Sequence, residues 1–157
     1  MAAFEYRQAQ DLHAAFARFG VRYLFLGKSA AILLGFPDTT QDVDLFPMKS
    51  AENGRAIVEA LRDLGFTLTE AQTDELIRGK DFVQIKNGPF DIDFIFAPDG
   101  IEGFEAAWSR RVESDGFPVC HLDDIIASKR AANRVKDQEA LPRLIAFREY
   151  WKSHRTR

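Results

Sequence analysis

One stretch constrains this chain more than any other. It runs Leu24-Phe25-Leu26-Gly27-Lys28-Ser29-Ala30-Ala31-Ile32-Leu33-Leu34-Gly35 and is followed by Asp42-Val43-Asp44-Leu45-Phe46. An apolar run, a glycine and a string of small residues read as a buried strand, a tight turn and a short helix packed closely on a sheet. In the segment that follows, a pair of carboxylates stands at i and i+2, which puts them on one face of a strand. Like charges on one face repel unless a positive charge stands between them, and hard oxygen donors suit Mg²⁺ or Mn²⁺. A helix N-terminus nearby attracts anions through its free N–H groups and its dipole. A divalent cation beside a phosphate points to nucleotide chemistry.

The remaining pattern alternates helices and strands. Phe4, Leu12, Ala15, Phe16 and Phe19 recur near helical spacing up to Gly20, a C-terminal stop. Tyr23–Leu26 is the first strand, Lys28–Leu34 a short helix, and Asp42–Phe46 the second strand, ended by Pro47. Ser50 or Ala51 opens a helix to about Leu64, where Gly65 stops it. Phe66-Thr67-Leu68-Thr69 reads as a short strand, and Asp74–Arg78 fits no single pattern. Phe82–Lys86 and Phe90–Phe96 flank Asn87-Gly88, a strong hairpin signal. In the second of these strands Asp91, Asp93 and Ile95 share one face. Ile101–Ser109 reads as a helix. Arg111–Glu113 and Phe117–Cys120 flank Asp115-Gly116 as a second hairpin, which Pro118 demotes to the sheet edge. Helices follow over Leu122–Ala132 and Lys136–Trp151, with a kink or restart at Pro142. The expected fold class is α/β (α+β): a mixed sheet of about five strands, helices mainly on one side, and a helical C-terminal segment.

Composition bounds the setting. The 157 residues, 46% apolar with 14 Phe, suffice for one domain with a real core. We read it as one domain over residues 1–157, with a core near 20–97 and a C-terminal hairpin and helices near 101–153. A net charge of −3 argues against nucleic-acid binding over the whole surface but leaves a local basic groove open. The single cysteine, Cys120, has no partner and reads as an apolar filler in a reducing cytoplasm. No signal pattern or membrane-length apolar run is present, so no membrane partner is expected. The basic tail Lys152–Arg157 reads as a frayed terminus. His13, His121 and His154 have no ligand spacing, so no zinc site is indicated. Trp108, Tyr150 and Trp151 are most simply core or interface residues.

A third strand acid, Asp93, follows the Asp42/Asp44 pair. By itself each motif fits a solvated strand face. Together they form an ordered composite that resembles the nucleotidyltransferase fold of the DNA polymerase β type. That family's pattern is an apolar residue with a Gly-Gly/Ser turn, an Asp-apolar-Asp strand and a later flanked acid. Here the pieces are Leu26-Gly27-Lys28-Ser29, Asp42-Val43-Asp44 and Ile92-Asp93-Phe94. Thr40-Gln41-Asp42-Val43-Asp44 and Ser128-Lys129-Arg130-Ala131…Arg134-Val135-Lys136-Asp137 are similar to segments of the small bacterial AbiEii/AbiGii toxin-type nucleotidyltransferases. The resemblance spans about residues 20–140.

The resemblance implies a metal-dependent transfer of NMP from an NTP to a protein or RNA acceptor. It also implies a toxin-like role in a bacterial toxin–antitoxin or phage-defence pair, a cognate antitoxin and a cytoplasmic home. Asp42 and Asp44 would hold two Mg²⁺ (or Mn²⁺) ions, and Asp93 the ion beside the acceptor hydroxyl. Gly27, Ser29 and the amides behind them would take the β- and γ-phosphates. Lys28 reads either as a phosphate ligand or as a solvated lysine. Lys129 reads either as a triphosphate contact or as a partner in i,i+4 helix pairing. Asp91 shares a face with Asp93 and is its alternative. Two departures stand out. Lys28 occupies a position usually Gly or Ser, and Asp38 stands where relatives carry a basic residue, an extra acid expected to weaken triphosphate binding. Besides transfer, two readings stay open: a catalytically degenerate binding module and a metal-dependent phosphohydrolase. A homodimer or partner that completes the groove is a further expectation.

Overall fold

The computed structural model describes residues 3–155. In chain order the elements are α1 (Tyr6–Arg18), β1 (Tyr23–Leu26), α2 (Gly27–Leu33), β2 (Asp42–Pro47), α3 (Ala51–Asp63), α4 (Glu70–Arg78) and β3 (Phe82–Ile85). They continue with β4 (Asp91–Ile95), α5 (Phe104–Arg110), β5 (Val112–Ser114), β6 (Phe117–Val119), α6 (Leu122–Ala132) and α7 (Val135–His154). The strands form one mixed sheet in the order β3-β4-β2-β1-β6-β5. β1 is buried along its whole length, as a central apolar strand should be.

Two pairings place everything else. β1 runs antiparallel to β2, with Leu26 opposite Asp44. β2 runs parallel to β4, with Asp44 opposite Asp93 and Val43 opposite Ile92. Alternation then divides the faces. Tyr23 and Phe25 point toward α1, where the Phe16 ring meets Tyr23 edge-on at 4.9 Å. Asp42, Asp44 and Phe46 point the other way, and Phe46 meets Phe104 of α5 at 5.4 Å. Val43, Leu45, Ile92 and Phe94 are fully buried on the α1 side.

Several local expectations change for identifiable reasons. Phe66–Thr69 forms no strand. Thr69 instead caps α4 reciprocally with Gln72, and Asn87 donates to the Thr67 carbonyl at 3.0 Å. The segment that fitted no pattern belongs to α4, which Gly79 ends in the left-handed conformation. Asn87-Gly88 makes no two-residue turn, because the Asn87 side chain is committed to Thr67 and Gln72, yet β3 and β4 still pair antiparallel. Asp115-Gly116 does make the tight turn, with φ of 52° and 84°. The β5–β6 hairpin takes the sheet edge as expected, with β5 outermost and Pro118 in β6, which is joined to β1 through Cys120 N–H donating to Phe25 O at 3.0 Å. α7 continues through Pro142 without a restart. The expected fraying from Lys152 is not seen, since α7 reaches His154 and Lys152 Nζ lies 3.1 Å from Asp123. Thr156 and Arg157 lie outside the described residues. Among those residues no helix is long and apolar enough to cross a membrane.

The crossing of α3 over α4 gives a direct test of packing. A Cβ on Gly54 would meet the Leu76 carbonyl oxygen at 2.5 Å and Ile77 Cα at 2.6 Å, both backbone atoms. Alanine normally stabilises a helix interior by about 1 kcal/mol over glycine. Overpacking against backbone costs about 1–3 kcal/mol, and more where nothing can yield. The clash wins, so Gly54→Ala is expected to lower the melting temperature by about 3–8 °C, measured by calorimetry. An unchanged or higher value would mean the helices separate freely.

Candidate active site

The site is built outward from the end of β1. Gly27 follows Leu26 at φ +67°, a left-handed conformation that favours glycine. A Cβ there would collide with Asp44 Oδ2. Gly27 is therefore required both by its backbone angle and by the carboxylate pressed against it. Two residues on, Ser29 is buried, and its hydroxyl donates to Leu26 O at 3.0 Å and accepts from Asp44 N–H at 3.1 Å. The first bond ties the opening turn of α2 to the end of β1, and the second ties it to β2. Ser29 thus stands behind the carboxylates with its hydrogen bonds committed.

Parallel pairing of β2 and β4 brings the acids together. Asp42, Asp44 and Asp93 all line one cavity of about 360 Å³. Asp91 sits opposite Asp42 in the register but lines a different depression, with Phe4 and Gly88. The main cavity also receives Lys28, Gln84, Lys86, Lys129, Arg134 and Lys136.

The electrostatics are strained in the acid cluster. Asp44 is pushed up to about 7, first by burial and then by the charges of Asp93 and Asp42, with Lys129 and Lys136 opposing. Burial and the charge of Asp42 also raise Asp93, and one of its carboxylate oxygens, Oδ1, is buried with no hydrogen-bond partner. Such an orphaned oxygen is unusual in a folded interior. Three hard oxygen donors, mutual repulsion and an unpartnered oxygen suit a divalent cation. Among the described residues no three acids, histidines or cysteines converge closely enough to hold an ion as they stand, so binding one requires side-chain adjustment.

The cations are positioned by a buried acid. Asp137 has no exposed surface. Arg134 grips it with Nε at 2.7 Å and Nη2 at 3.2 Å, and Lys129 Nζ lies 3.5 Å away. Burial works to raise Asp137, but the Arg134 hydrogen bond and the Lys129 charge outweigh it and hold the carboxyl below its usual range. Desolvation lowers Lys129, opposed by Asp137 and Asp44. The two departures at the turn meet each other: Lys28 Nζ is 3.3 Å from Asp38 Oδ2, and Arg143 Nη1 is 3.3 Å from the same oxygen. The extra acid is thus already matched by two cations.

Arg134 and Asp137 had no role assigned from the sequence, although Arg-x-x-Asp at a helix start is a readable capping pattern. Gln84 and Lys86 were also missed. Their signal is the period of two from Phe82: in β3 it sets Gln84 opposite Asp93, and one step past the strand it reaches Lys86, which also lines the cavity.

Searches by sequence match no family model and no curated protein. Solved structures do match. The lincosamide antibiotic adenylyltransferase LnuA, in its lincomycin-bound crystal structure, superposes with a TM-score of 0.64 at 13% identity, covering 92% of this chain and 99% of that one. A candidate nucleotidyltransferase from Thermotoga maritima superposes with a TM-score of 0.51 at 18% identity, covering 90% of this chain and 94% of that one. The chain has the nucleotidyltransferase fold.

Two outcomes test the site's electrostatics and sterics. Between about pH 4 and pH 7 the unfolded chain has released the Asp44 proton while the folded protein still holds it. Stability of the metal-free protein therefore falls as pH rises through that window. Asp44→Asn is expected to flatten this slope and to raise the melting temperature at pH 7.5 by about 5 °C; an unaltered slope would place the strain elsewhere. Gly27→Ala is expected to lower stability by about 2 kcal/mol or more, through the unfavourable φ and the clash with Asp44, as read by urea denaturation.

Proposed function

We propose that this protein is a metal-dependent nucleotidyltransferase that moves NMP from an NTP to an acceptor hydroxyl. The observation that carries the reading is the β2–β4 register, which sets Asp44 beside Asp93 at a cavity lined by four lysines and Arg134. Asp42, Asp44 and Asp93 would hold Mg²⁺ or Mn²⁺, Asp93 on the side of the acceptor. Ions held there would neutralise phosphate charge and make the α-phosphorus more electrophilic.

The chain's own residues do the rest. Lys28, Lys129 and Lys136 receive the negative charge of the triphosphate, and Asp137 keeps Lys129 and Arg134 aimed into the cavity. The acceptor oxygen forms a bond to the α-phosphorus as the α–β phosphoanhydride bond breaks. Pyrophosphate leaves with the electron pair, and the hydroxyl proton passes to Asp93 and on to solvent. Positioning and fixed charge supply most of the rate. Resemblance to the AbiEii/AbiGii toxin type supports a protein or RNA acceptor, a toxin-like role and an antitoxin partner. The lincomycin-bound state of LnuA supports a small-molecule acceptor instead.

A second reading, a nucleotide-binding module without catalysis, is favoured by one observation: the three acids do not converge as they stand. An assay with α-³²P-labelled NTPs and Mn²⁺, supplied with cell extract as a source of acceptors, separates the readings. Transfer is expected to produce an acid-stable labelled product that vanishes in Asp93→Asn. Label appearing only as free NMP identifies a phosphohydrolase, and no released or transferred label identifies the binding module.

A further inference from the structure

Beyond Asp93 the acid-bearing face continues into a second groove, of about 450 Å³. It shares Phe82, Ile95 and Arg134 with the main cavity, so the two are continuous. Phe82 stands opposite Ile95 in the β3–β4 register and is 46% exposed, an open aromatic ring beside a reactive site. Ile95 lies two residues past Asp93, about 7 Å along the strand. A small molecule on Phe82 and Ile95 is therefore within reach of the third acid.

The far wall is fixed. Gly100, at φ +80°, packs so tightly on α6 that a Cβ would lie 2.5 Å from the Ala127 carbonyl oxygen. Pro98 is buried beside it. The charge of this groove is opposite to that of the main cavity. Asp81 and Asp99 line it, both exposed, and among the described residues neither has an ion-pair partner. Lys80, next to Asp81, is turned to Glu75 at 3.1 Å. Arg134, the one cation lining the groove, is held by the buried Asp137 through two hydrogen bonds. A polyanion fits the lysine-lined cavity and is repelled here.

We propose that this groove is the acceptor subsite, and that it takes a small hydroxyl-bearing organic cation with an apolar ring or chain. The apolar portion lies on Phe82 and Ile95, the ammonium group faces Asp81 and Asp99, and the hydroxyl points toward Asp93. This rests on the nucleotidyl-transfer reading for its chemistry but on the groove alone for binding. The volume is in the range of small-molecule pockets.

The test uses three probes of one shape and different charge on the full chain: 2-amino-1-phenylethanol, 1-phenyl-1,2-ethanediol and mandelate. Binding is followed by amide chemical shifts. Each exposed carboxylate is worth a factor of a few toward a cation, so the ammonium probe is expected to bind at least about fivefold more tightly than mandelate. The perturbed amides should centre on Phe82, Ala97, Asp99 and Ala132. The preference should fall to near unity in Asp81→Asn/Asp99→Asn, and all three probes should weaken in Phe82→Ala. Equal binding of the three probes, shifts elsewhere, or a single-stranded oligonucleotide or basic peptide occupying the same amides in their place would overturn the proposal. MgATP, added separately, reports on Asp42 and Asp44. Loss of that response with the ammonium preference intact refutes the nucleotide reading alone, and the converse refutes the acceptor subsite alone.

Discussion

A single hydroxyl group joins the two motifs on which the fold depends. Ser29 Oγ spans from the last carbonyl of β1 to the amide of Asp44, so the first turn of α2 and the middle of β2 cannot slide past each other. That bridge presses Asp44 against Gly27, where no side chain fits. The parallel pairing of β4 then fixes Asp93 beside Asp44. Three acids are brought onto one face as a consequence of backbone register, and the apolar residues on the reverse face enforce it. A slip of one residue would bury the aspartates and expose Val43, Leu45, Ile92 and Phe94.

The face so formed carries a conflict of charge. Burial and mutual repulsion raise Asp44 and Asp93, while Lys129 and Arg134 are held in reach by the buried Asp137. The two signs offset each other only in part: Lys129 and Lys136 oppose the rise of Asp44 without cancelling it, and one carboxylate, Asp137, serves both Lys129 and Arg134. A divalent cation relieves the acids and a triphosphate relieves the bases. Such a metal–nucleotide pair matches both halves at once, which is why the arrangement reads as a binding site more readily than as a structural ion-pair network.

Much of this was legible in the sequence, because the informative signals are local. The glycine turn, the Asp-x-Asp strand and the α6 helix follow from residue type and period over short windows. What was not legible depends on distant partners. Asp91 and Asp93 are equivalent by alternation; the resemblance favours Asp93, and the fold separates them by setting Asp93 in the main cavity and Asp91 in the depression beside Phe4 and Gly88. Ser29 reads from the sequence as a phosphate ligand, because the carbonyl of Leu26 and the amide of Asp44 that it joins lie in different strands. Phe66–Thr69 alternates like a strand, but the Thr69–Gln72 cap and the Asn87 side chain claim its polar groups. Lys28 and Asp38 read as two separate departures and are one ion pair, joined by Arg143 from the far end of the chain.

The central claim is that Asp42 and Asp44 bind a metal–nucleotide complex in concert with the surrounding cations. The most direct measurement is the melting temperature of parent and Asp42→Asn/Asp44→Asn proteins with each of the four NTPs, with and without Mg²⁺, each referred to its own ligand-free value. Ligand at about a hundred times its dissociation constant stabilises by about 2.7 kcal/mol, or about 5–10 °C for a chain of this size. The account predicts a Mg²⁺-dependent rise of that order in the parent for at least one NTP and its loss in the double variant. An equal rise in both proteins, or none with any NTP, would contradict it.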